Sequence, residues 1–195
     1  MTRKEQKEER RKAILMTALT LFVERGYHDT KITDIAKAVP MSTGLMFHYF
    51  ESKEELLLEL VRMGAESTKA LDAGTAGQIP PDLFLTKFLE QLFSYAKEQP
   101  WVFNMFVLMS QVRRKGMPEE ARQVALSVGS VETTAKMIEA GQKQGAFRKG
   151  DPMLLSRCFW ASVQGIMEEM AMDKEMKTPG PEWIMAILRK TPEEG

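Results

Sequence analysis

Apolar residues return every three or four positions along most of this chain, the period of helices that each bury one face. Ile14, Leu15, Ala18, Leu21 and Phe22 mark a first helix from about Glu5 to Arg25. Gly26 supplies a left-handed stop, and Tyr27 folds back on the last turn. A second helix is expected from Ile32 to Ala38, capped by Thr30 or Thr33, and a third from Thr43 to Tyr49, capped by Ser42. Ile35, Val39, Met41, Met46 and Tyr49 turn the apolar sides of these two helices together. Ala36 is small where they cross, because a larger side chain would push them apart. Pro40 enforces the turn between them: it disfavours a helical Val39, cannot donate to Ala36 and holds φ negative. Two short helices around a tight turn form the helix-turn-helix pattern, whose second helix lies in the DNA major groove.

The pattern continues in longer segments. Ser52-Lys53-Glu54-Glu55 is a capping box that opens a fourth helix running to about Ala70, with Leu56, Leu57, Leu60 and Val61 inward. Gly and Pro content makes Ala73 to Asp82 a loop. Further helices are expected over Leu83–Glu98, Trp101–Gln111, Pro118–Gln144, Pro152–Met172 and Glu182–Arg189. Trp101–Gln111 is apolar nearly all round and should be buried. The expected fold is all-α, with about nine helices. On Pro152–Met172, Cys158, Ala161 and Gly165 are small residues at spacings of three and four, which permit close helix approach.

Composition adds limits rather than direction. The sequence of 195 residues is 44% hydrophobic and 28% charged, an ordinary globular balance. It holds no apolar run long enough for a membrane span, and Met1–Lys12 has no apolar core like that of a secretory signal. The single cysteine, Cys158, excludes an internal disulfide framework and fits a reducing cytoplasm; its expected place is the core. Net charge is zero but unevenly spread. Residues 1–53 carry ten Lys and Arg against seven Asp and Glu, and the rest of the chain carries the opposite excess. Arg3, Lys4, Lys7, Arg10, Arg11 and Lys12 supply most of the basic charge, which can meet phosphate without reading sequence.

From Ile14 to Leu60 the chain resembles the amino-terminal domain of the TetR-type (tetracycline-repressor) family of bacterial transcriptional regulators. The matching pieces are Ala18–Tyr27, Thr30, Asp34-Ile35-Ala36, Ser42, Gly44, His48-Tyr49-Phe50 and Ser52–Leu56, in the family's order and spacing. The resemblance implies a DNA-binding domain over 1–52, followed over 53–195 by an effector-binding and dimerisation domain. It implies a homodimer through the last two long helices on double-stranded operator DNA, with repression of the bound promoter. Its candidate DNA contacts are Thr30, Ser42, Thr43, Gly44, Leu45, Phe47, His48 and Lys53. Thr43 offers a hydroxyl to base or phosphate, Gly44 lets backbone approach, Leu45 can pack on a thymine methyl, and His48 can donate to phosphate. By resemblance Lys53 is a phosphate contact. Two positions depart from the family pattern: Pro40 stands where glycine is usual, and Phe47 where a tyrosine hydroxyl usually reaches phosphate.

In this family the second domain often encloses a small-molecule inducer. The aromatics and methionines here suit a small apolar effector, with Tyr95, Phe103, Asn104, Phe106, Met137, Trp160 and Gln164 as candidate contacts and Gln142 as a further polar one. The same stripes also read as plain core. A regulator without an inducer, constitutive or switched by a protein partner, therefore stays open. Enzyme chemistry has little to stand on. The two histidines, His28 and His48, lie in the DNA-binding part, and no metal-spaced cluster, phosphate-cradling glycine loop or serine elbow occurs. No cofactor or metal is expected.

Overall fold

The computed structural model describes residues 2–72 and 79–190. Ten helices follow one another along them: α1 Arg3–Arg25, α2 Ile32–Ala38, α3 Thr43–Met46, α4 Lys53–Asp72, α5 Pro81–Glu98, α6 Trp101–Val112, α7 Glu119–Leu126, α8 Ser130–Lys143, α9 Pro152–Met172 and α10 Pro181–Met185. None of the described helices is long and apolar enough to cross a membrane. Most of the expected Ala73–Asp82 loop lies outside the described residues. Its end is already helical, because Pro81 fits the first turn of α5, where a missing N–H costs nothing.

The chain divides into two compact units, Met1–Ala65 with Asn104–Ser127, and Glu66–Phe103 with Val128–Gly195. The boundary expected at residue 52 is thus displaced. The first half of α4 belongs with the helices before it, since Leu56, Leu57, Leu60 and Val61 are fully buried. Gly64 shows how closely the later part of α6 approaches: a Cβ there would stand 2.8 Å from the Met109 sulfur and 2.9 Å from that of Met105.

The core of the first unit is built from Ile14, Ala18, Leu19 and Phe22 of α1, Ile35 and Ala36 of α2, Met46 of α3, Phe50 and the inner face of α4. Each fully buried large side chain here contributes about 1.5–3 kcal/mol. Gly26 ends α1 at a φ of 88°, and its N–H reaches Phe22 O at 3.0 Å. Tyr27 then packs edge-on against Phe22, with ring centroids 5.3 Å apart.

The turn between α2 and α3 departs from expectation. Val39 N donates to Ile35 O at 3.0 Å and Met41 N to Ala36 O at 2.9 Å. The second bond is the long closure of a helix whose next residue is left-handed. That residue is Pro40, whose φ is +21° rather than the negative value expected of its ring. The ring opposes that value, so the turn is strained at this residue. The companion bond, from residue 40 to Lys37 O, cannot form because proline has no N–H.

In the second unit α8 packs along α9, and α5 lies against α8 and α10. The single helix expected over Pro118–Gln144 is broken into α7 and α8. Ser127 Oγ donates to Val124 O at 2.8 Å, and Arg113 Nε donates to Ala125 O at 3.2 Å. Those are the carbonyls a continuous helix would need for its next turn. Pro118, expected as the first helical residue, is the N-cap of α7, which starts one place later at Glu119. The last helix is also shorter than expected. After Met185 the chain tightens, with Ile187 N on Ile184 O and Leu188 N on Met185 O, and Leu188 O accepts from Arg148 N at 2.9 Å. Cys158 is exposed, not in the core. It lies on an outward stripe of α9 with Leu154, Ala161, Gly165 and Met172, the first and last of which are 62% and 74% exposed.

Pro40→Gly should stabilise the protein. Relief of the constrained backbone is worth about 1–3 kcal/mol, less about 1–2 kcal/mol because the unfolded chain is freer with glycine than with alanine and stiffer with proline. A melting midpoint that falls, followed by circular dichroism, would show that the left-handed closure is absent.

Candidate nucleic-acid interface

Ser42 starts α3 by accepting from Leu45 N at 3.1 Å. The α-helix ends at Met46, earlier than the expected Tyr49, because His48 N bonds Leu45 O and Tyr49 N bonds Met46 O three residues back. Met46 and Phe50 are buried beneath this turn. The opposite side is therefore outward. Ser42, Gly44, Phe47 and His48 are exposed, Phe47 at 51%, while Thr43 and Leu45 are half-buried. A Cβ added at Gly44 would meet nothing within 4 Å, so packing does not require glycine there. The arrangement is a short convex edge with its anchors directly below.

Two of the eight candidate contacts point elsewhere. Thr30 is fully buried, and its hydroxyl lies 2.8 Å from Gly26 O and 3.2 Å from Leu21 O. It ties the α1–α2 connection to the end of α1 and does not cap α2. The N-cap of α2 is Lys31, whose N–H donates to the Asp34 carboxylate at 3.0 Å. Lys53 is likewise engaged inside the unit. Its ammonium donates to Tyr27 O at 2.8 Å and Thr30 O at 2.9 Å, and sits 4.3 Å from the centre of the Tyr27 ring. The capping box is present in altered form: Ser52 Oγ accepts from Glu55 N at 3.1 Å, while the Glu55 carboxylate takes the N–H of Glu51.

Sequence reasoning missed the braces that set this edge. Arg11 of α1 forms a forked pair with Glu59 of α4, and its guanidinium lies over the Phe50 ring, 4.6 Å from the centroid. One of the basic residues expected to meet phosphate is thus committed internally, whereas Arg3, Lys4, Lys7, Arg10 and Lys12 are exposed. The Tyr27 hydroxyl donates to Glu54 at 3.2 Å. Burial, then the neighbouring Glu54 charge, pushes the Tyr27 phenol well above its ordinary value. Glu54 is held below the usual carboxylate range, first by its own backbone N–H and then by Tyr27, Ser52 and Lys53.

Of the candidate effector contacts, Phe103 and Met137 are buried in the second unit, but Tyr95 is 50% exposed and stacks edge-on with Trp101. The Trp160 indole donates to Ser130 O at 3.1 Å and Thr134 Oγ1 at 3.0 Å. Gln164 donates to Glu168 at 2.7 Å, and Gln142 to Arg148 O and Gly150 O at 2.9 and 3.0 Å. Asn104 and Phe106, both half-buried, belong to the first unit.

Lys53→Met keeps the aliphatic stem but orphans two carbonyls, and should lower unfolding stability by about 1–3 kcal/mol in denaturant titration. No loss would mean the ammonium does not hold the turn. Tyr27 makes a second test. A folded pKa above the unfolded one stabilises below the unfolded value near 10, and that contribution drains away as pH rises towards the folded value. The wild type should therefore lose more stability above pH 10 than Tyr27→Phe, measured as melting midpoints; parallel curves would contradict the buried phenol.

Residues 14–60 match the model described as bacterial regulatory proteins, tetR family. YuxN of Bacillus subtilis strain 168, named an uncharacterized HTH-type transcriptional regulator, is 32% identical over 165 residues, which is 83% of this chain and 53% of that protein. The chain spans about half the length of this curated relative. Among solved structures, the TetR family regulator PfmR of Thermus thermophilus is similar at a TM-score of 0.69 and 26% identity, with 91% of this chain and 97% of that one covered. AibR, solved with isovaleryl coenzyme A and operator DNA, is similar in fold at a TM-score of 0.67 and 20% identity, covering 91% and 94%. The helix-turn-helix unit and these matches agree: residues 14–60 form a domain of the tetR family of bacterial regulatory proteins, and the rest of the chain is similar in fold to regulators of that family.

Proposed function

We propose that this protein is a homodimeric repressor that binds a two-fold operator through Thr43, Gly44, Leu45, Phe47 and His48, and is released by a small apolar effector. The observation that carries the reading is the exposed edge of α3 seated on buried Met46 and Phe50, within the segment that matches the family. AibR, of the same fold, is bound to operator DNA and to a coenzyme A thioester in one crystal. Dimerisation is assigned to the outward stripe of α9, where Cys158, Ala161 and Gly165 leave room for a second helix between Leu154 and Met172. The second helix of the expected pair, α10, is five residues long and buries Ile184 and Met185 in its own unit, so α9 carries most of this assignment. Release requires an effector that binds the released state more tightly than the operator-bound one, by about 1–3 kcal/mol for a typical coupling.

A regulator with no small-molecule inducer is the second reading. It is favoured by the polar groups of the second unit, since Gln142, Trp160 and Gln164 already spend their donors on the protein itself.

The test is footprinting on the DNA flanking the protein's own gene, with wild type and Thr43→Ala/His48→Ala. Wild type should protect two symmetric half-sites whose centres lie about one helical turn, or a multiple of it, apart. The double variant should bind about five- to 150-fold more weakly, on the order of 1–3 kcal/mol for lost base or phosphate contacts. Absent protection at low salt would remove the DNA-binding reading, a lone asymmetric half-site the dimer, and unchanged affinity of the double variant the α3 assignment.

A further inference from the structure

The reading edge has an unusual chemistry for its task. From Ala38 to Ser52 the chain contains no Arg, Lys, Asn or Gln. Those side chains make the bidentate bonds that distinguish guanine and adenine in the major groove. The polar groups on the edge are few. The Ser42 hydroxyl accepts from Leu45 N and keeps its own proton, so Ser42, Thr43 and His48 each offer single bonds. Two large apolar groups are not buried: Phe47 is half exposed, and Leu45, two residues before it, is partly so. Gly44 beside them has open space around it, which clears an approach to both. Phe47 keeps half its ring in water although Met46 and Phe50 next to it are buried, so apolar surface is open to a partner. The major groove displays one apolar group, the C5-methyl of thymine.

We propose that this chain recognises its operator chiefly through thymine methyl groups, with Leu45 and Phe47 as the specificity-determining residues. Each of the two side chains covers a methyl, and the preference for thymine over cytosine arises because that surface leaves the water. Guanine is not read directly, because nothing on the edge can donate twice to its O6 and N7. Phosphate attraction comes from outside this edge: Lys31 and Lys37 on either end of α2 and the basic residues of α1 are exposed. The inference rests on the DNA-binding reading above and narrows what that site reads.

The experiment begins with selection of bound sequences from a random 30-base-pair duplex library by the full-length protein. The selected site is then synthesised with deoxyuridine in place of thymine, one position at a time, which removes only the methyl. Affinities are measured by fluorescence anisotropy at fixed salt. At one or two thymines in each half-site, loss of the methyl should weaken wild-type binding about fourfold, the effect of one buried methyl-sized group. Leu45→Ala or Phe47→Ala should bind thymine and deoxyuridine equally at the position each one covers. Phe47→Leu, which keeps an apolar cap, should retain the difference. Circular dichroism melts of all three variants exclude unfolding as the cause. An enriched site bound equally well with thymine or deoxyuridine everywhere would overturn the proposal, as would a thymine preference that survives both alanine variants. A library with no enriched sequence would instead overturn the DNA-binding reading itself.

Discussion

A lysine ammonium set against backbone carbonyls holds this protein's reading head together. Lys53 opens α4 and yet bonds the carbonyls of Tyr27 and Thr30, where the chain leaves α1 and enters α2. A charged donor is worth more to them than a neutral one, and the Tyr27 ring beneath adds a cation–π contact. With the connection fixed, α2 has one position relative to α4, and α3 can turn its Met46 inward beside Phe50. The Arg11–Glu59 fork does the same work at the other side of the unit, with Phe50 under the guanidinium. Charges that bulk composition would assign to solvent or phosphate are here structural.

Much of this was legible in the sequence because it is local. Gly26 stops α1, Ser42 caps α3, Ser52 caps α4, and the apolar positions of α1, α2 and α4 fall inward as their spacing requires. The outward edge from Ser42 to His48 follows from the same periodicity. What stayed hidden depends on partners distant along the chain. Arg11 and Glu59 are 48 positions apart, and Tyr27 and Glu54 27, so no single-sequence pattern links them. The roles assigned to Thr30 and Lys53 shifted for that reason: their residue types suit an exposed contact, but the carbonyls that engage them appear only in three dimensions. The break between α7 and α8 is a subtler case. Helical spacing persists through Ser127 and Gly129, and the competing bonds from Ser127 and Arg113 decide against it.

The turn at Pro40 shows that closure geometry can outrank residue preference. The bond from Met41 N to Ala36 O requires a left-handed residue between them, and the chain supplies the residue least suited to it. The first unit accepts that local cost because Ile35, Ala36 and Met46 gain their burial only when the two helices meet at this angle. Hydrophobic contact across the turn is the larger quantity, at about 1.5–3 kcal/mol for each large side chain, against about 1–3 kcal/mol for a constrained backbone.

The brevity of α3 has an informational consequence. Four residues rise about 6 Å along the helix, while base pairs repeat every 3.4 Å or so, so α3 laid in a groove as proposed would have roughly two pairs within direct reach. Two pairs hold about four bits, a word that recurs by chance every dozen or two positions in any genome. A single copy of this head would be a poor address label. Only by multiplying such short words, through a second copy at fixed spacing or through the bendability of the bases between, can so small a helix point to one place on a chromosome.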